Sequence, residues 1–160
     1  MSKVIVNALK KSFKNTMGLI RDTINNTDDE KWRKGYTDFM VPAIIAYHNI
    51  ECLDFYFRPD AMEEFVWGHR FGKPYWELSI AEQPTQAELL AYLDEVAERI
   101  FAHFDALDDA LLLEPSPYGS EWTRIEDYLY DLRHTDHHQG SLAALAEILK
   151  IPPVDWDKWV

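Results

Sequence analysis

A chain of 160 residues falls within the range of a single domain and can enclose a hydrophobic core without disulfide or metal staples. Its 28 Asp and Glu against 16 Lys and Arg give a formal charge of −12, a field that repels phosphate backbones and anionic headgroups and argues against nucleic acid as a partner. Cys52 is the single cysteine, so no internal disulfide forms. With no basic, apolar, small-residue leader at its start, the chain is expected in the cytoplasm. No stretch approaches the run of about 18 apolar residues that a transmembrane helix needs, so no membrane span is expected. Six Trp, eight Tyr and eight Phe are a rich aromatic complement of the kind that fills cores and pockets.

Leu9, Phe13, Met17, Ile20 and Ile24 recur at steps of four and three, which places them on one face of a helix through most of the first 25 residues. Thr27-Asp28-Asp29-Glu30 has capping-box spacing and predicts a short helical turn. A second long helix is expected to follow Asp38, with Pro42 in its first turn, and to run to about Arg58, where Pro59 disfavours continuation. Its apolar face carries Met40, Ile44, His48 and Phe55. Residues 61–84 lack a clean period and read as a long irregular connection containing Trp67, Phe71, Tyr75 and Trp76 together with His69, Arg70 and Lys73. A third long helix opens on the capping box Thr85-Gln86-Ala87-Glu88 and continues through Leu89, Leu93, Val96, Ile100, Phe104, Leu107 and Leu111. After a turn at 115–119, the box Thr123-Arg124-Ile125-Glu126 starts a fourth, which reaches Lys150 before Pro152 and Pro153 end it. Four long amphipathic helices make the expected fold class all-α, a four-helix bundle.

At about 100° per residue, His134 and His138 of the last helix lie only about 40° apart and project side by side, while His137 points away from them. Imidazoles at this spacing are a standard way to hold a divalent transition ion. Leu142, Leu145 and Leu149 continue the same face and Asp127 and Asp131 precede it, so the pair is expected to look into the bundle. Two ligands bind weakly, and a third must come from another helix. His48, set within an apolar stripe where an unpaired imidazole would lose its hydrogen bonds to water, is the natural candidate. The plainer alternatives are a His48 bonded to a carbonyl or carboxylate and a chance HxxxH on an exposed face. His69 and His103 have no partner at ligand spacing. Cys52 lies one turn after His48 as a conceivable soft fourth ligand, but free cysteines usually behave as small buried hydrophobes and it is left out of the expected site.

The motif His134-Thr135-Asp136-His137-His138-Gln139-Gly140-Ser141, the segment Ala46-Tyr47-His48-Asn49-Ile50-Glu51 and the tail Ile151-Pro152-Pro153-Val154-Asp155-Trp156 together resemble the DinB-like (DinB/YfiT) family. Its members are four-helix metal-binding proteins whose last long helix carries HxxxHRGQ and whose second helix supplies another histidine. The resemblance covers nearly the whole chain and implies that His48, His134 and His138 hold a divalent transition metal, Zn or Ni. Gln139 and Ser141 depart from the family's Arg and Gln and remove a positive charge beside the site. The family's association with DNA damage is not carried over to DNA binding.

The resemblance further implies a small-molecule substrate and one of three activities. These are S-transfer from a low-molecular-weight thiol to a small electrophile, metal-dependent hydrolysis, or metal and ligand binding without catalysis. Thiol transfer ranks first. A hydrolase would also need a general base, which Asp131, Asp127 or Glu51 could supply; the plainer reading of these groups is solvated or capping carboxylates. Trp67, Tyr75 and Trp76 could line a pocket, with Arg70 or Lys73 meeting a substrate carboxylate. Trp156 and Trp159 either pack over the bundle or belong to a homodimer surface.

Overall fold

Leu9, Phe13, Met17, Ile20 and Ile24 are all buried along one side of helix α1 (Val4–Asn26), as their spacing predicts. The computed structural model describes residues 2–58, 64–119 and 121–159; Pro59 and Ala61, where the sequence suggests a helix stop and a change of period, lie outside them. The remaining helices are α2 (Asp29–Trp32), α3 (Pro42–Tyr56), α4 (Gln86–Ala106) and α5 (Arg124–Leu149). The chain is all-α, and no strand occurs among the described residues. No described helix is long and apolar enough to cross a membrane.

Capping explains most of the helix ends. Thr85 and Thr123 start α4 and α5 with the reciprocal bonds of a capping box, to Glu88 and Glu126 respectively. The box expected at Thr27 does not form, and the cap falls one residue later. Asp28 is the cap of α2 and accepts from the Lys31 N–H, while the Thr27 hydroxyl turns back to donate to the Thr23 carbonyl. Helix α4 also stops short of the expected Leu111: Leu107 is extended, and the Asp108 carboxylate accepts from the Ala110 and Leu111 N–H groups to begin a separate turn, Leu111–Leu113. Helix α5 ends on Lys150 in the left-handed region (φ 57°), just before the proline pair.

Helix α1 packs on α4 and α5, and α3 packs on α5 and α4, so each long helix has two main neighbours around a shared core. At the centre of that core the ring of Phe57 lies 5.1 Å from Phe13 and 5.5 Å from both Phe104 and Tyr128. One expectation about α3 needs correction. It starts at Pro42 rather than near Asp38, ends at Tyr56, and has no polar face: from Pro42 to Asp54 every residue is buried except His48. A helix covered on all sides needs internal partners for each polar group it carries, and these groups prove to organise the site.

The connection at 64–84 lies over α3 and is fastened to it by those buried polar side chains. Glu51 accepts from the Gly68 N–H, the Tyr47 hydroxyl donates to the Lys73 carbonyl at 3.0 Å, and His69 Nε2 lies 3.2 Å from the Asp54 carboxylate. Short helical turns at Tyr75–Glu77 and Ile80–Glu82 lead the chain into α4.

Candidate metal centre

His48 and Cys52 stand one turn apart on α3, and His134 and His138 one turn apart on α5. The packing of α3 along α5 brings the two pairs together. His138 Nε2 is 3.0 Å from His48 Nε2 and 3.1 Å from His134 Nε2. The rings meet steeply, at 88° and 74°, so it is the nitrogen edges that converge rather than the ring faces.

Protons alone satisfy this convergence poorly. Each Nε2 has one in-plane site, holding either a hydrogen or a lone pair, and His138 Nε2 faces two other Nε2 atoms. One shared proton serves a single pair and leaves the third nitrogen opposed. Two nitrogens bound to one ion at about 2.0–2.1 Å lie about 2.8–3.4 Å apart, so the observed spacing fits one divalent ion shared among the rings. Protonation is suppressed as well: burial, reinforced by the neighbouring imidazoles, lowers His48 to about 3 and His138 to about 4, and burial also lowers His134. All three rings are therefore neutral donors at physiological pH, the form a metal requires.

Cys52 is drawn into the same group. Its Sγ lies 3.7 Å from His48 Nδ1 and 3.9 Å from Nε2, and one ligand atom from each of His48, Cys52 and His134 lies within 4.8 Å of the other two, a group that could hold a metal ion. Its spacing of four from His48 is the signal in the sequence that points to it, against the usual behaviour of a free cysteine as a small buried hydrophobe. His137 is exposed on the outer side of α5.

The expected carboxylates are neither solvated nor capping. Asp131 is fully buried with no hydrogen-bonding donor on either oxygen; burial drives its carboxyl far upward, and the nearby Thr135 hydroxyl offsets this only in part. Asp127 is also buried, with one oxygen unmatched and its carboxyl raised by burial. Glu51 commits one oxygen to Gly68, has the other unmatched, and is raised to about 7 by burial. The Nδ1 atoms of His134 and His138 are likewise buried without a partner.

Aromatic rings wall the centre. Tyr75 lies 4.7 Å from the His48 ring, Tyr130 lies almost parallel to His134, and Trp76 packs on Tyr75. Trp67 instead stacks on Phe55. The cations proposed for substrate recognition already have partners: Arg70 meets Glu95 at 2.5 Å and Lys73 meets Glu82 at 3.7 Å. His103 is engaged by the Tyr128 hydroxyl at 2.6 Å. Gln139 is buried and donates to the Thr23 hydroxyl of α1 at 2.9 Å, and the Ser141 hydroxyl donates to the His137 carbonyl. Trp159 packs its ring on Gly18, and its indole N–H donates to Asp22.

Compared with known proteins, the chain matches no family model and no curated protein.

Proposed function

We propose that this chain is a metal-binding four-helix bundle of the DinB-like kind, which uses a divalent transition ion to transfer a low-molecular-weight thiol to a small electrophile. The observation that carries this reading is the convergence of His48, His134 and His138 Nε2 across the α3–α5 contact. Zn and Ni suit such imidazole donors. The ion supplies Lewis acidity, lowering the pKa of a thiol or water held beside it.

The chain's own residues supply the rest. The three neutral imidazoles orient the site, and His48, the one residue of 42–54 that is half-buried rather than buried, marks where a small molecule would enter. We assign Asp131, buried with both oxygens unmatched, as the acceptor of the proton a thiol gives up, in the ionised form that a neighbouring cation would favour. Glu51 is a weaker choice for that role, because Gly68 already holds one of its oxygens. Tyr75 and Tyr130 restrict water around the histidines. A cytoplasmic setting, where such thiols stay reduced, accords with this chemistry. Hydrolysis would use the same residues with water as the nucleophile.

Metal analysis of purified protein is expected to show near-stoichiometric ion, lost in His48→Ala, His134→Ala and His138→Ala and retained in His137→Ala. Equal metal in all four variants overturns the centre. Incubating the loaded protein with an electrophile, with and without glutathione, bacillithiol or mycothiol, is expected to yield a thiol adduct only when thiol is present. Thiol-independent turnover assigns hydrolysis instead.

A further inference from the structure

Cys52 occupies a position that three imidazoles alone do not explain. Helix α3 sets it one turn beyond His48 on the same side, with Sγ 3.7–3.9 Å from the two ring nitrogens. A nitrogen at about 2.1 Å and a sulfur at about 2.3 Å on one tetrahedral ion lie about 3.6 Å apart; Sγ is 3.9 Å from the converging His48 Nε2, within a small side-chain rotation of that spacing. The thiol is 5% exposed, so bulk solvent is not its partner.

Charge gives an independent reason. A divalent ion held by three neutral imidazoles places two uncompensated positive charges among buried side chains, which is costly unless anions lie nearby. The candidates include the Cys52 sulfur, the Asp131 carboxylate, which is 0% exposed with no donor on either oxygen, and Glu51, also buried but with one oxygen held by the Gly68 N–H. A thiolate would be unfavourable there without a cation, and with one the thiolate and carboxylate together neutralise the centre.

We propose that Cys52 is the fourth ligand of the ion, making the centre a set of three imidazoles and one thiolate, with Asp131 outside it as the balancing charge. The inference rests on the three-histidine reading, adds to it a sulfur donor that shifts ion preference toward zinc and other thiophilic metals, and requires an incoming thiol or water to enter as a fifth donor.

Cobalt(II) titrated into metal-free protein separates the two ideas. Wild type is expected to develop a near-ultraviolet thiolate-to-cobalt charge-transfer band together with intense tetrahedral d–d absorption. Cys52→Ser and Cys52→Ala should lose the charge-transfer band while still binding cobalt through the imidazoles. Their affinity should fall by at least about ten-fold, since even outer-shell partners of a metal contribute ~10–100-fold. Far-ultraviolet circular dichroism confirms that both variants are folded. Stoichiometric cobalt with no charge-transfer band, and unchanged affinity in both variants, overturns the sulfur ligand and leaves the three-histidine centre standing. No cobalt or zinc bound by wild type overturns both.

Discussion

His48 and His138 face one another across the contact between α3 and α5 with their Nε2 atoms 3.0 Å apart, and each is neutral because burial disfavours its imidazolium form. Two opposed nitrogens of neutral imidazoles gain when a cation lies between their lone pairs and otherwise depend on one shared proton. An ion that binds only the folded chain therefore stabilises it by mass action, by about 2.7 kcal/mol at a hundred times its dissociation constant. A chelator should lower the thermal midpoint of wild type and leave His48→Ala and His138→Ala unmoved. Equal chelator responses in all three would show that these rings do not share the ion.

Glu51, one of two buried acids on α3, has a signature of its own in the metal-free chain. Glu51 is raised from 4.5 to about 7, first by burial and further by Asp54. The folded state thus keeps a proton that the unfolded state releases, so this group's contribution is full below pH 4.5 and is lost as pH rises through 7. Glu51→Gln retains an oxygen for the Gly68 N–H and removes the titration. It is expected to gain on wild type between about pH 4.5 and 8, by on the order of 2–3 kcal/mol at the upper end. Urea unfolding across that range checks it, and a gap independent of pH would contradict it. His48 and His138 act in the opposite direction: their lowered values make their contribution full above 6.5 and lost as pH falls toward 3–4.

The helices were legible because α1 and α4 are amphipathic and α4 and α5 open on threonine boxes, so period and cap agree. Helix α3 was legible only in part. Its burial on every side erases the polar face that would fix its orientation, and it was the histidine, not a hydrophobic stripe, that marked the side facing α5. The start of α1 had no local signal at all: its cap is Asp109, whose carboxylate accepts from the N–H groups of Val4, Ile5 and Val6 across more than a hundred residues. The HxxxH pair could be read from spacing within one helix. Beyond its spacing from His48, Cys52 is not marked by the sequence, because a free cysteine defaults to a small apolar side chain until a second helix shows what it faces. That Gln139 turns to Thr23 of α1 also depended on packing.

Asp54 joins three elements. It accepts from the Tyr92 hydroxyl at 2.6 Å and from Arg99, both on α4, and lies 3.2 Å from His69 of the connection, while itself 2% exposed. Asp54→Ala leaves the phenol and the guanidinium without their acceptor and should destabilise the chain by roughly 3 kcal/mol, the cost of breaking a buried ion pair from one side. Denaturant unfolding measures this, and a loss under about 1 kcal/mol would mean that water replaces the carboxylate at no penalty.

Gly68 and Gly72 offer a matched pair for testing whether the connection holds Tyr75 against His48. Both have positive φ, 83° and 81°, so alanine is strained at either. They differ in space. A Cβ on Gly68 collides with the Lys73–Pro74 backbone, whereas at Gly72 nothing lies within 4 Å. Gly72→Ala should cost about 1 kcal/mol from conformation alone. Gly68→Ala must also push the chain between Lys73 and Tyr75 outward, disturbing the Tyr47–Lys73 bond and the Tyr75 ring 4.7 Å from His48. It should therefore cost more stability than Gly72→Ala, and in the metal-loaded protein it alone should alter the spectrum of bound cobalt. Equal effects of the two substitutions on that spectrum would separate Tyr75 from the centre and reduce the connection to a cover with no hold on the histidines.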